Sequence, residues 1–108
     1  MKEKSISKLI EEAHRTAKSK GFWDDIEEKG PRIFACLVML VVTELSESVE
    51  AARNANFRNR RHSASEELAD AVIRIFDICA GYDIDLYKEI RKKMILNSRR
   101  KFKHGKRF

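Results

Sequence analysis

The chain has 108 residues and a mass of 12.6 kDa, the size of one domain with a modest core. Apolar residues make up 43% and charged residues 37%, with one proline and four glycines. This composition excludes a disordered chain, argues against a β-sandwich and favours an all-α domain. The net charge of +6 is concentrated in residues 56–62 and 91–108, where it favours a polyanionic partner: nucleic acid, an acidic membrane or the phosphates of a small ligand.

Two helices are predicted in the first half of the chain. The first covers about residues 5–20, where apolar side chains recur at helical spacing and Gly21 follows as a stop signal. After a polar loop, a second helix of about 31–55 begins at Pro31, a residue that suits the first helical position. The basic stretch "NFRNRRH" then interrupts the pattern.

Two further helices are predicted in the second half. The third begins at a capping serine and stops at Gly81, and the fourth begins at a capping aspartate and ends near Ser98. The possible caps are Ser63 or Ser65 for the third helix and Asp83 or Asp85 for the fourth. Short connections between four helices predict a single all-α domain over residues 1–108, a four-helix bundle-like protomer.

The third predicted helix is apolar on both sides, which indicates burial nearly all round and therefore an oligomer. One side carries Leu68, Val72, Ile75, Phe76 and Cys79, and the other carries Ala71 and Ile78.

The chain shows no pattern of export or membrane insertion. Its longest apolar run, "IFACLVMLVV", has ten residues, too few to cross a bilayer, and its start lacks the pattern of a signal peptide. Cys36 and Cys79 each lie in an apolar helical segment without a CxxC spacing, so we expect two buried free thiols rather than a zinc or redox site. These features predict a soluble cytoplasmic protein.

Two pairs of carboxylates are spaced to share helix faces. In "TELSESVE", Glu44 and Glu47 continue the apolar stripe of the second helix, where an unpaired charge is costly to bury. In "SEELADAV", Glu67 and Asp70 share a face of the third helix. If the two helices pack antiparallel, the four oxygen ligands converge as Mg²⁺ or Mn²⁺ prefers, although such spacings are also common on solvated helix surfaces.

The basic tail offers groups that suit phosphate. Lys93, Asn97 and Arg100 share one face if the fourth helix extends that far, and His104 and Lys106 follow. The alternatives are a frayed basic tail or one that binds nucleic acid without sequence preference.

Together, "ELSE" (44–47), "EELAD" (66–70) and "KMILNSRRKFKHGK" (93–106) resemble the MazG-like nucleotide pyrophosphohydrolases of the all-α NTP pyrophosphatase superfamily. The similarity covers roughly residues 9–106 and includes "HRTAKSKGFW" (14–23). Two positions depart from the family pattern. Thr43 stands where the first Glu of EExxE is expected, with Glu50 as a partial substitute, and Lys101 stands where a proline often follows the arginine.

The resemblance implies roles for residues of all three motifs. Glu44, Glu47, Glu67 and Asp70 match the Mg²⁺ ligands, and Glu44 or Glu47 would orient or deprotonate the attacking water. The phosphate-contacting positions are matched by Lys93, Asn97, Arg100, His104 and Lys106.

The implied reaction is Mg²⁺-dependent hydrolysis of nucleoside triphosphates between the α and β phosphates, for house-cleaning of nucleotide pools. The implied assembly is a homodimer or homotetramer whose active sites draw on neighbouring chains. Trp23 and His14 are the candidates for contact with the base, although aromatic core or interface packing also explains such residues.

Two rival functions follow from other features. A non-enzymatic, basic, helical nucleic-acid-binding module would account for the two basic segments, but it leaves Glu44 and Glu47 on the apolar stripe unexplained. A di-iron carboxylate bundle requires ExxH pairs, and none of the three histidines has that spacing.

Overall fold

A computed structural model describes residues 2–108, and over this range it is all-α, as predicted, with four helices and no strand. The tail ends in a short 3₁₀ turn that the sequence pattern did not predict. The helices are α1 (Ile6–Ser19), α2 (Pro31–Arg53), α3 (Ala64–Gly81) and α4 (Leu86–Ser98), and the 3₁₀ turn is Phe102–Gly105.

The starts of α3 and α4 are set by capping side chains. Ser63 caps α3, accepting a hydrogen bond from the backbone N–H of Glu66, and Asp85 caps α4 in the same way with Lys88. The alternative caps are ruled out by the backbone, because Ser65 lies inside α3 and Asp83 has a left-handed φ of 55°.

Helices α2 and α3 pack antiparallel. At one end the Tyr82 hydroxyl donates to the Gly30 carbonyl (3.0 Å), and at the other the Ala64 N–H donates to the Asn56 carbonyl (2.9 Å). Helix α1 also packs on α3, which is therefore the central element of the protomer. This arrangement brings the acidic segments of α2 and α3 side by side.

The core of the single chain is small. Its buried apolar residues are Val41, Ala64, Ala71, Ile78 and Cys79, and no side chain in the described range is fully buried. The radius of gyration is 16.3 Å, whereas a compact domain of this length has about 13 Å. Within the protomer, Leu68, Val72 and Ile75 of α3 are exposed, so the burial of α3 nearly all round, which was predicted for an oligomer, stays a prediction.

The fourth helix projects from the rest of the protomer. It contains no buried residue, and the whole stretch 91–108 is exposed. Among residues 2–108, no helix combines the length and hydropathy needed to cross a membrane.

The two cysteines differ in their surroundings. Cys79 is buried, but Cys36 is exposed, so the prediction of two buried thiols is wrong for Cys36. Cys36 lies roughly 140° around α2 from the buried Val41, so it points away from α3.

Candidate functional site

Three carboxylates meet between α2 and α3. Glu44 comes from α2, and Glu67 and Asp70 come from successive turns of α3; one oxygen of each lies within 4.8 Å of the others. Glu67 is only 3% exposed, Glu44 is largely buried and Asp70 is exposed. The antiparallel packing therefore brings together three of the four predicted metal ligands.

The surroundings push the pKa values of two of these carboxyls in opposite directions. Burial, followed by the neighbouring Glu47 and Glu44, raises the pKa of Glu67, while the hydrogen bond with His62 acts the other way. The Arg74 Nε donates to Glu44 Oε1 (2.9 Å) and lowers the pKa of Glu44. Glu44 is therefore paired with a cation of its own chain, Arg74, whereas Glu67 is buried beside other carboxylates.

This donor set fits a divalent metal ion. Three oxygen donors converge, with no histidine nitrogen or cysteine sulfur among the three, which is the chemistry that Mg²⁺ and Mn²⁺ prefer. A cation here would offset both the burial of Glu67 and its repulsion by Glu44 and Glu47.

Glu47 does not lie on the core stripe of α2, so that prediction is wrong. Glu47 is exposed, and the buried position is the adjacent Ser48, whose hydroxyl donates to the Leu45 carbonyl. Glu47 lies roughly 120° around the helix from Val41, at the edge of the stripe rather than its centre. It still faces Glu67 closely enough to raise that residue's pKa.

Thr43 offers no replacement for the carboxylate expected at its position. Its hydroxyl donates to the Leu40 carbonyl one turn earlier (2.6 Å). Glu50, the suggested partial substitute, is exposed and lies on the same side of the site as Glu47.

The carboxylates lie between two clefts of different character. The first, the apolar cleft, has a volume of about 960 Å³ between α1, α2 and α3, and Glu44 and Asp70 line it. The second, the polar cleft, has a volume of about 640 Å³ beside the α2–α3 loop, and Glu47 and Glu67 line it. The polar cleft is also lined by Glu50, Asn56, Arg60, Arg61 and His62.

The two residues predicted to contact a base are bound to the same acid. The Trp23 Nε1 donates to Asp77 Oδ1 (2.9 Å), and His14 Nδ1 lies 2.8 Å from the same oxygen. Their rings meet edge-on, 5.3 Å apart. Trp23 lines the apolar cleft and His14 does not, so of the two only Trp23 is placed to contact a ligand there.

The predicted phosphate-binding residues lie apart from the carboxylates of their own chain. Lys93 and Asn97 are on α4, but the helix ends at Ser98, so Arg100 lies beyond it and the predicted single helical face is incomplete. All five residues are exposed, and none lines either cleft: Lys93, Asn97, Arg100, His104 and Lys106.

Sequence reasoning missed two residues that touch the carboxylates. Arg74 follows Asp70 by four residues on α3, and this spacing is the signal that would have placed it on the same face. The Nδ1 of His62 lies 3.3 Å from Glu67 Oε1, and the sequence pattern places His62 in a basic segment without linking it to the carboxylates. Its position depends on the path of the loop, which no periodicity predicts.

Comparisons of the chain with protein-family models, curated proteins and solved structures give no match. The resemblance to the MazG-like family therefore stays a prediction that rests on the three sequence motifs.

Proposed function

We propose that this protein is a Mg²⁺-dependent nucleoside triphosphate pyrophosphohydrolase of the MazG-like kind, with Mn²⁺ as a possible substitute metal. The observation that carries the proposal is the convergence of Glu44, Glu67 and Asp70 within 4.8 Å, with Glu67 buried. A chain gains nothing in stability from burying a carboxylate beside others, so the arrangement favours a bound cation. The proposed role is house-cleaning of nucleotide pools in the cytoplasm.

In the proposed reaction a water oxygen attacks the α-phosphorus, and the bond from that phosphorus to the oxygen bridging to the β-phosphorus breaks. Pyrophosphate leaves with the bridging oxygen, and the nucleoside monophosphate keeps the oxygen of water. Bound Mg²⁺ would neutralise the triphosphate and stabilise charge on the leaving oxygen. Glu44, with its pKa lowered by Arg74, suits a ligand better than a base, so Glu47 is the better candidate to take the proton.

The proposal includes a homodimer or homotetramer. A second apolar stripe on α2 is exposed, and we propose that another copy of the chain covers it. The tail supports a second copy as the occupant, because its predicted phosphate-binding residues line neither cleft of their own chain and would reach the carboxylates of a neighbour. The stripe consists of Val38, Val42, Leu45 and Val49.

The test is release of pyrophosphate from a panel of ribo- and deoxyribonucleoside triphosphates, including modified bases, with Mg²⁺ and separately with Mn²⁺. We expect metal-dependent release that is lost in Glu67→Gln and in Glu47→Ala. The matched control is Glu11→Gln, which changes an exposed carboxylate on α1 outside both clefts and should leave the rate unchanged. No release with any nucleotide and either metal would overturn the proposal.

The exposed basic tail supports a second candidate, non-enzymatic binding of nucleic acid. Residues 91–108 are all exposed and strongly basic, and such a surface binds the phosphates of nucleic acid without recognising the base sequence. This candidate predicts an affinity for nucleic acid that falls steeply with salt and is unchanged in Glu67→Gln. A fluorescence anisotropy titration at several salt concentrations would measure it.

A further inference from the structure

The α2–α3 loop (residues 54–63) is held in place by its own hydrogen bonds. The Asn56 side chain donates to the Arg61 carbonyl (3.2 Å) and accepts from the Arg60 N–H (3.3 Å). At the start of α3, Glu66 accepts the His62 N–H (2.8 Å) and pairs with the Arg61 guanidinium (3.1 Å). The basic side chains of this loop are therefore presented from an ordered backbone rather than a free coil.

Arg60 differs from the neighbouring Arg61 in having no acidic partner. Arg61 is paired with Glu66, but no carboxylate of residues 2–108 lies within 4.0 Å of the Arg60 guanidinium. Arg60 nevertheless lines the polar cleft together with Glu47 and Glu67. A cation that shares a cleft with carboxylates without pairing with them is available to bind an anion there.

The charge of the polar cleft depends on the metal. Three carboxylates (Glu47, Glu50 and Glu67) share the cleft with Arg60 and with Arg61, but Glu66 neutralises Arg61, which leaves two net negative charges. A divalent cation at the carboxylates neutralises this charge, so that Arg60 can bind an anion without net repulsion. The cleft should therefore bind an anion only together with the metal.

We propose that Arg60 binds the β- and γ-phosphates of the substrate in the polar cleft, and that the nucleoside extends from the carboxylates into the apolar cleft. This inference rests on the proposed function and adds the orientation of the substrate. The apolar cleft suits the nucleoside because its lining is mainly hydrocarbon and one of its cations, Arg74, is already bonded to Glu44. The leaving pyrophosphate is then held by the same chain that supplies the carboxylates, whatever the tail contributes.

Arg58 provides a matched control on the same loop. It is exposed like Arg60 and has no acidic partner within 4.0 Å, but it does not line the polar cleft. Arg60→Gln and Arg58→Gln therefore remove the same charge from neighbouring positions. Neither side chain has a partner to lose, so both variants should fold like the wild type, which circular dichroism would verify.

The experiment is a calorimetric titration of the full chain with inorganic pyrophosphate, with and without Mg²⁺, and with nucleoside monophosphate. We expect the wild type to bind pyrophosphate only with Mg²⁺, and Arg60→Gln to weaken that binding about tenfold or more, as expected for loss of a charge-assisted hydrogen bond. Arg58→Gln should change it less than about twofold, as a remote screened charge does. Binding of the monophosphate should be unchanged in both variants.

Equal weakening by the two substitutions would overturn the inference, because the effect would then be one of net charge. If Arg60→Gln weakens the binding of monophosphate as much as that of pyrophosphate, the proposed orientation is overturned. Pyrophosphate binding that is equally strong with and without Mg²⁺ would also overturn it. The outcomes separate this inference from the proposed function. If no triphosphate is hydrolysed but Arg60→Gln alone weakens Mg²⁺-pyrophosphate binding, the anion site stands and the hydrolase proposal fails.

Discussion

Glu67 is 3% exposed and lies beside Glu44 and Glu47, so the folded chain favours its protonated form and raises its pKa. Near and above its ordinary pKa of 4.5, the folded state therefore binds more protons at this site than the unfolded state does. By linkage, the contribution of Glu67 to the free energy of unfolding decreases as the pH rises from 4.5 through the raised pKa.

The first prediction is that Glu67→Gln stabilises the metal-free protein at neutral pH, because the amide carries no charge to bury. The melting temperature of the variant should exceed that of the wild type at neutral pH, and the difference should vanish below pH 4.5. Adding Mg²⁺ should raise the melting temperature of the wild type more than that of the variant. A variant less stable than the wild type at neutral pH would show that Glu67 is satisfied without a cation.

Arg74 acts on the neighbouring Glu44 in the opposite sense. Its hydrogen bond lowers the pKa of Glu44, so the stability from this pair is present above pH 4.5 and is lost as the pH falls through the lowered value. The second prediction is that Arg74→Gln lowers the free energy of unfolding at neutral pH by about 1 kcal/mol, a small value because the arginine is partly exposed. Urea titrations at neutral and acidic pH would show the difference shrinking on acidification.

In activity, Arg74→Gln should move the acidic limb of the pH–rate profile to higher pH, because Glu44 would lose its cation and hold its proton longer. The exposed Arg91 on α4 has no acidic partner within 4.0 Å, and Arg91→Gln should leave both measurements unchanged. If the acidic limb of the pH–rate profile does not move in Arg74→Gln, the protonation of Glu44 does not control the rate.

Sequence spacing was enough to predict three of the four acids expected at the site, but not what surrounds them. Glu44, Glu67 and Asp70 could be predicted because i, i+3 spacing and antiparallel packing leave little freedom. Glu47 was placed wrongly because it lies at the edge of a helical stripe, where a small change in helix rotation decides between burial and exposure. His62 could not be predicted, because its contact depends on the backbone of an irregular loop.

At the scale of elements, the end of α3 packs against the segment after α1 where Gly81 lies beside the Trp23 ring. A Cβ added at Gly81 would lie 2.3 Å from Cη2 of Trp23. The indole ring is also fixed by its hydrogen bond to Asp77. Glycine at this position therefore allows the segment after α1 to lie against α3.

The third prediction is that Gly81→Ala displaces the Trp23 ring and lowers the free energy of unfolding by about 1–3 kcal/mol, as overpacking usually does. Thermal unfolding followed by circular dichroism would measure the loss. The control is Gly30→Ser, because a Cβ there meets nothing within 4 Å and serine is favoured at a helix N-cap. Equal stability of Gly81→Ala and the wild type would mean that the ring moves aside without cost.

The helices themselves were largely predictable from caps and breakers. The first turn of a helix leaves backbone N–H groups unpaired. The serine and aspartate caps accept hydrogen bonds from such groups, and Pro31 has no N–H to leave unpaired, so these residues set where the helices begin. The end of α4 and the 3₁₀ turn after it were harder, since the tail is exposed and no packing selects its backbone. As a result, Arg100 fell outside the helical face predicted for it.

At the scale of the whole molecule, the protomer is open, with a radius of gyration of 16.3 Å and a row of exposed valines and leucine on α2. The fourth prediction is that Val42→Glu together with Val49→Glu dissociates the proposed oligomer, because a carboxylate in an apolar interface is costly. Sedimentation velocity should show a smaller species with an unchanged helical circular dichroism spectrum. A wild type that sediments as a monomer would contradict the prediction at once.

The fifth prediction concerns the division of the active site between chains. Glu67→Gln and the double variant Lys93→Glu, Arg100→Glu should each be inactive alone. Refolded together, they should regain activity, because an intact set of carboxylates on one chain meets an intact tail on another. No recovery in the mixture would mean that each tail serves its own chain, through a movement of α4 toward the clefts.

Trp23 is the only tryptophan of the chain. Its ring lines the apolar cleft and also meets the His14 ring edge-on. The tryptophan emission of the unlabelled protein therefore comes from a single known position. A base that stacks in the cleft would quench it, and water entering as the segment after α1 loosens would shift it to longer wavelength. The protein thus contains its own optical probe, and rapid-mixing fluorescence could time substrate entry without a modified nucleotide or an attached dye.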